Sequence, residues 1–153
     1  MKTRNGFVSN SSSSSFIIAI ARIADKEKFN RAFGDLLAAD KGQGRLLVMK
    51  MSEITDEYGL PRKLGSKVVV EGFQSDVSIP IANLNDNDEI VAYSYYGDEG
   101  DGCFMRSEDD YECDYDIDSD FFGDKEQKVM EAFGDKDSGI DNVDLSYGAG
   151  RNG

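Results

Sequence analysis

The residue pattern predicts a single α+β domain: a mixed or mainly antiparallel sheet of five or six strands, with two helices on one face. Three observations predict it. A chain of 153 residues with 39% apolar content, nine Phe and seven Tyr suits one core, since a domain of this size buries about 68–70% of its unfolded surface. Short, β-branched, alternating runs outnumber helical ones. Only residues 25–39 and 124–133 repeat apolar side chains at helical spacing behind an acidic start.

In chain order, Ser15–Ile23 carries apolar residues at both alternating sets, Phe16, Ile18, Ile20 and Ile17, Ala19, Ala21. A strand that is greasy on both faces reads as central. Asp25 is the expected N-cap of a helix to about Ala39, with Phe29, Ala32, Phe33, Leu36 and Leu37 as its stripe. Gly34 inside it costs about 1 kcal/mol against Ala and predicts a kink or early stop. Gly42 and Gly44 end it. Arg45–Met51 is a second strand, and strand–helix–strand allows a right-handed crossover.

Ser52–Gly65 reads as a loop punctuated by Gly59, Pro61 and Gly65. Lys67–Phe73 and Asp88–Tyr96 are the third and fourth strands. Cys103–Ile117 reads as a hairpin that sets Cys103 opposite Cys113, which would permit a disulfide if oxidised. Asp124-Lys125-Glu126-Gln127 fits a capping box. The helix behind it points Val129, Met130 and Phe133 inward, and Gly139–Tyr147 follows as a last strand. The expected organisation is a Ser-rich leader over 1–15, a domain over 16–147, and a frayed Gly-rich tail over 148–153. Arg151 and the glycines of that tail form at most a weak anion nest.

The segments DKEKFNRAFGD (25–35) and DKEQKVMEAFGD (124–135) echo each other. A duplicated strand–helix unit would explain this, and so would similar capping chemistry arising twice; the second is favoured.

Charge is unevenly spread. Residues 1–85 hold nine acids and twelve bases, residues 86–153 twenty-one acids and five bases, and the whole carries -13. The acidic half repels phosphate and anionic lipid, so no direct nucleic-acid or membrane binding is expected through it. Phe16–Ile20 is too short for a signal core or a membrane span. Residues 1–24 hold Lys2, Arg4 and Arg22, no acid, and many serines. That also fits a transit peptide, although the alternation after Ser15 argues for a strand. A cytoplasmic location is expected.

The densest acidic stretch is YECDYDIDSDFF (111–122). Read in twos, Tyr111, Cys113, Tyr115 and Ile117 share one face, and Glu112, Asp114, Asp116 and Asp118 the other. Carboxylates on one strand face stand about 6.5–7 Å apart. Each neighbouring pair repels by about 0.6 kcal/mol in water, so a plain solvated face is affordable. Asp is nevertheless a poor strand former, which favours a use for the ladder. The candidate partner-binding residues are Asp109, Asp110, Glu112, Asp114, Asp116 and Asp118, offered to a basic protein surface. If that surface belonged to a host nucleic-acid enzyme, the chain would act as a DNA mimic.

Catalytic residues are not assigned. Without histidine there is no Ser-His or Cys-His pair and no imidazole ligand for zinc. An EF-hand loop started at Asp114 meets Ser119 and Lys125 where Gly and Glu belong. No cofactor is expected; a looser Ca²⁺ or Mg²⁺ site, from Asp98, Glu99 and Asp101, stays open. A metal-assisted hydrolase built on Asp clusters is the enzymatic alternative.

The leader GFVSNSSSSSF spans Gly6 to Phe16. It resembles a leader shared by small uncharacterised proteins of tailed bacteriophages and some bacteria. The resemblance covers about a dozen residues and implies a phage-type origin and a virion or assembly role as a further alternative. It implies no catalytic residue.

Overall fold

The computed structural model describes residues 13–39, 45–72, 75–97 and 122–151. Along the chain they form β1 (Ser13–Ile23), α1 (Lys26–Ala38), β2 (Arg45–Lys50), β3 (Arg62–Leu64), β4 (Lys67–Glu71), β5 (Asp76–Pro80), β6 (Glu89–Gly97), α2 (Asp124–Gly134) and β7 (Ile140–Arg151). Four strands make one sheet in the order β2-β6-β1-β7, and three make a second in the order β3-β4-β5. Every pairing is antiparallel. The domain is α+β, as the sequence predicts.

β1 is apolar on both faces because both faces are covered. Ile17, Ala19 and Ala21 pack with α1 and α2, while Phe16, Ile18 and Ile20 pack with Val68, Val70, Val77 and Ile79 of the second sheet. The result is three layers: helices, a four-stranded sheet, and a small three-stranded meander. The strands predicted for one sheet thus divide between two. β3 has three residues and β5 five, too short for periodicity to stand out beside Pro61 and Pro80. Gly65, at φ +62°, makes the two-residue turn with Ser66 that joins β3 to β4.

The four-stranded sheet has the connectivity of a ferredoxin-like, split β-α-β domain. The unit β1–α1–β2 straddles β6, and the unit β6–α2–β7 straddles β1. Strands within each unit run the same way and the two units run oppositely. The echoed segments are the crossover helices of these two units. Their caps, however, differ. Asp25 Oδ1 accepts the N–H groups of Glu27 and Lys28 at 3.1 Å. In α2 the N-cap is Gly123, with no side-chain cap. The predicted capping box is absent; Gln127 Nε2 donates instead to the Phe122 carbonyl at 3.0 Å. Shared capping chemistry therefore does not account for the echo. What the two segments share is their position and their buried face, Phe29 and Phe33 in one, Val129 and Phe133 in the other.

Three further expectations change. Gly34 neither kinks nor stops α1, which runs on to Ala38. β1 begins at Ser13, paired with Arg151, so the last three serines of the run belong to the sheet. The same pairing carries β7 through Gly148 to Arg151, where a frayed tail was expected. Gly42, Gly44 and the Cys103–Ile117 hairpin lie outside the described residues.

Candidate functional site

The sequence-predicted residues Asp109, Asp110, Glu112, Asp114, Asp116 and Asp118, and the cation candidates Asp98, Glu99 and Asp101, all lie outside the described residues. The structure describes the residues on either side of the segment 98–121. That segment contains eleven acids and one base, Arg106.

The departure point is Gly97, the last residue of β6, paired with Ser15. A side chain there would press on the Tyr95 hydroxyl and come within 3.0 Å of Ser15 Oγ, so a residue without Cβ suits this close approach. The return point is Phe122, 4% exposed. Its ring meets Tyr95 and Tyr147 edge to face, at centroid distances of 6.2 and 6.0 Å. Both tyrosines flank Ile17 in register across β6, β1 and β7. Phe122 therefore lies over one cross-strand row, and α2 starts two residues later with Asp124 and Glu126 in its first turn. Sequence reading missed this anchor. Its signal was present: an aromatic pair closing an acidic run just before a helix.

Beside this end, on the helical face, α1 and α2 leave an open groove of about 630 Å³. A smaller hollow of about 200 Å³ lies between α2 and β7, lined by Gln127, Met130, Glu131, Leu145 and Tyr147.

The opposite end of the sheet holds the densest described cluster of paired charges. β7 has two residues, Asn142 and Val143, where β1 has Ala21, a bulge in which Asn142 takes φ +52°. The bulge presents Asp141 to Arg22. Arg22 Nε donates to Asp141 Oδ1 at 2.8 Å, Nη2 donates to Oδ2, and Nη1 lies 3.5 Å from Asp88. Asn142 Nδ2 donates to Asp141 Oδ1 at 3.0 Å, and its own Oδ1 accepts from Asn83 Nδ2 at 3.0 Å. Arg22, chiefly through that hydrogen bond, holds the Asp141 carboxyl below the usual range. On the second sheet Arg62 does the same to Glu71, donating at 2.7 and 3.2 Å.

These pairings decide what the arrangement can do. A carboxyl used as a general acid near neutrality needs its pKa raised, and among the described residues the two carboxyls that shift, Asp141 and Glu71, move the other way. Among the described residues no group of three or more His, Cys, Asp or Glu side chains could hold a metal ion. No described helix is long and apolar enough to cross a membrane. The paired charges join elements: Arg22 links β1 to β7 and to the residue before β6, and Ser75–Ser146 (2.9 Å) and Ser78 N–Asp144 Oδ2 (3.0 Å) tie the second sheet to β7. Comparison with protein-family models, with curated proteins and with solved structures gave no match.

Proposed function

We propose that this chain is a small, non-enzymatic accessory protein of phage type that presents the carboxylates of residues 98–121 to a basic protein surface. One observation carries the reading: eleven acids against one base, in a single segment entered and left at one end of the sheet. Carboxylates at strand spacing can occupy cationic sites that otherwise take phosphates, so a nucleic-acid enzyme of the host is the partner class that fits best. The domain's part is to hold the segment's ends, through Gly97 and the Tyr95–Phe122–Tyr147 cluster.

The test is affinity capture from bacterial lysate on the immobilised protein, with a variant carrying Glu112→Gln, Asp114→Asn, Asp116→Asn and Asp118→Asn beside it. The wild type is expected to retain basic proteins at low salt and to release them to added salt or duplex DNA. The neutralised variant is expected to retain far less. Retention indifferent to salt, to DNA and to the substitutions would overturn the proposal.

A further inference from the structure

We infer that residues 148–151 are a strap that locks the end of the serine run into the sheet, and that this strap fixes how far a peptidase can trim the chain. Bonds from Ser13 onward are closed while the strap is paired, and open as far as Ser15 when it is released. The inference is independent of the partner proposed above.

A register carries it. Ser13, Ser14, Ser15 and Phe16 of β1 pair with Arg151, Gly150, Ala149 and Gly148 of β7. On the other side of β1 the ladder with β6 begins only at Ser15, opposite Gly97. Among the described residues, Ser13 and Ser14 therefore have β7 as their one partner strand, whereas Ser15 and Phe16 have two. The motif GFVSNSSSSSF is divided by the fold: its last four residues, Ser13 to Phe16, are the start of β1.

Hydrolysis of a peptide bond adds water across it, the hydroxyl to the carbonyl carbon and the hydrogen to the nitrogen. A peptidase takes its substrate as an extended chain whose backbone groups are free to pair with the enzyme, the strand-addition mode of recognition. Pairing with residues 148–151 withholds those groups, and susceptibility follows the backbone bonding of the affected segment. The strap is weak by composition. Two of its four residues are glycine, which weakens a strand, and a two-stranded ladder is marginal by itself. Ser13–Ser14 and Gly150–Arg151 thus separate more readily than the three-stranded part, and cleavage follows the population of that open form. Opening halts at Ser15 and Phe16, which are 4% and 1% exposed and are held by β6 as well. The fold supplies two stops, one set by β7 at Ser13 and one set by β6 at Ser15.

The test is trimming of the whole protein by a broad-specificity aminopeptidase, followed by intact mass. Three proteins are compared: the wild type, a deletion of residues 148–153, and the double variant Ala149→Pro with Gly150→Pro. Backbone N–H groups alternate in direction along a strand, so one of these two adjacent prolines removes a ladder donor. The wild type is expected to give a resistant product beginning at Ser13. Both variants are expected to give one beginning at Ser15, with loss of Ser13 and Ser14 at least about tenfold faster than in the wild type. Hydrogen exchange at Ile18–Ile20, unchanged in the variants, separates release of the strap from loss of the fold. A resistant product beginning at the same residue in all three proteins, wherever it falls, would overturn the strap. So would loss of protection at Ile18–Ile20 equal to that at Ser13–Ser15, and trimming of a variant beyond Phe16 would overturn the second stop.

Discussion

Phe33 and Phe133 occupy the same place in the two echoed segments, and their rings meet edge to face with centroids 5.2 Å apart. Each is almost wholly buried. The two crossover helices therefore touch through their matched residues, and Phe29 stacks on Phe33 at 4.6 Å to extend the contact. Truncating either phenylalanine to alanine is expected to cost about 3–5 kcal/mol. A double-mutant cycle in urea should return a coupling of about 0.5–1.5 kcal/mol, as edge-to-face pairs do. Additive losses would mean that the rings share a core without interacting.

Two glycines should respond to alanine with opposite signs. Gly139 has φ +77°, and its carbonyl accepts the N–H groups of Ala24 and Asp25 at 2.8 and 3.0 Å. A Cβ there would collide with the Asp25 carbonyl and come within 2.7 Å of Phe29 N. Gly139→Ala is expected to cost about 2 kcal/mol or more, from left-handed strain plus that collision. Gly34 lies inside α1 with nothing within 4 Å of its would-be Cβ. Gly34→Ala should add about 0.5–1 kcal/mol. Thermal unfolding of the two variants checks both signs.

Asp141 gives a pH signature. Its folded carboxyl titrates below the ordinary value because of Arg22, whereas the unfolded carboxyl titrates near about 3.9. The native state thus favours the ionised form. The stability this supplies is complete above the unfolded value and is lost as pH falls through the folded one. Solvent screens a carboxylate that is 42% exposed, so the contribution stays within about 1 kcal/mol. Protonating the chain's other acids also relieves repulsion, so the readout is a difference. The stability gap between wild type and Asp141→Asn should be present at pH 6 and close below about pH 4; a gap unchanged at low pH would contradict the pairing.

The fold was legible where packing leaves a periodic trace. Phe16–Ile23 announced a strand covered on both faces, and Asp25 announced a helix start. The second sheet was not legible as such, because β3 and β5 are short and their partners are set by tertiary packing against β1. The α2 cap was misread because Asp124, Glu126 and Gln127 suit a capping box in sequence, while the backbone begins the helix one residue earlier at Gly123. The pairing of Ser13–Ser15 with the chain's final residues was also invisible. Serine and glycine carry weak strand propensity, and only a partner strand reveals their use. Of the candidate site, the charge was legible and the aromatic anchor at Phe122 was not, since what recruits it are Tyr95 and Tyr147, each some 25 residues away in the chain.

The Phe122 anchor yields its own prediction. Phe122→Ala should destabilise the domain by about 3 kcal/mol, as a buried ring leaves a cavity. It should also raise hydrogen exchange locally at Asp124–Lys128, the first turn of α2, more than at β1. Exchange rising equally everywhere would show that Phe122 serves the global core and not the segment's return.

Excision of the acidic segment tests the central claim, that the fold holds residues 98–121 as a separable binding element. Replace them with a short Gly/Ser linker between Gly97 and Phe122, and measure thermal midpoint and lysate capture on the same protein. The account predicts a midpoint within a few degrees of wild type together with loss of the salt-sensitive capture. Undiminished capture by the folded, excised protein would contradict it.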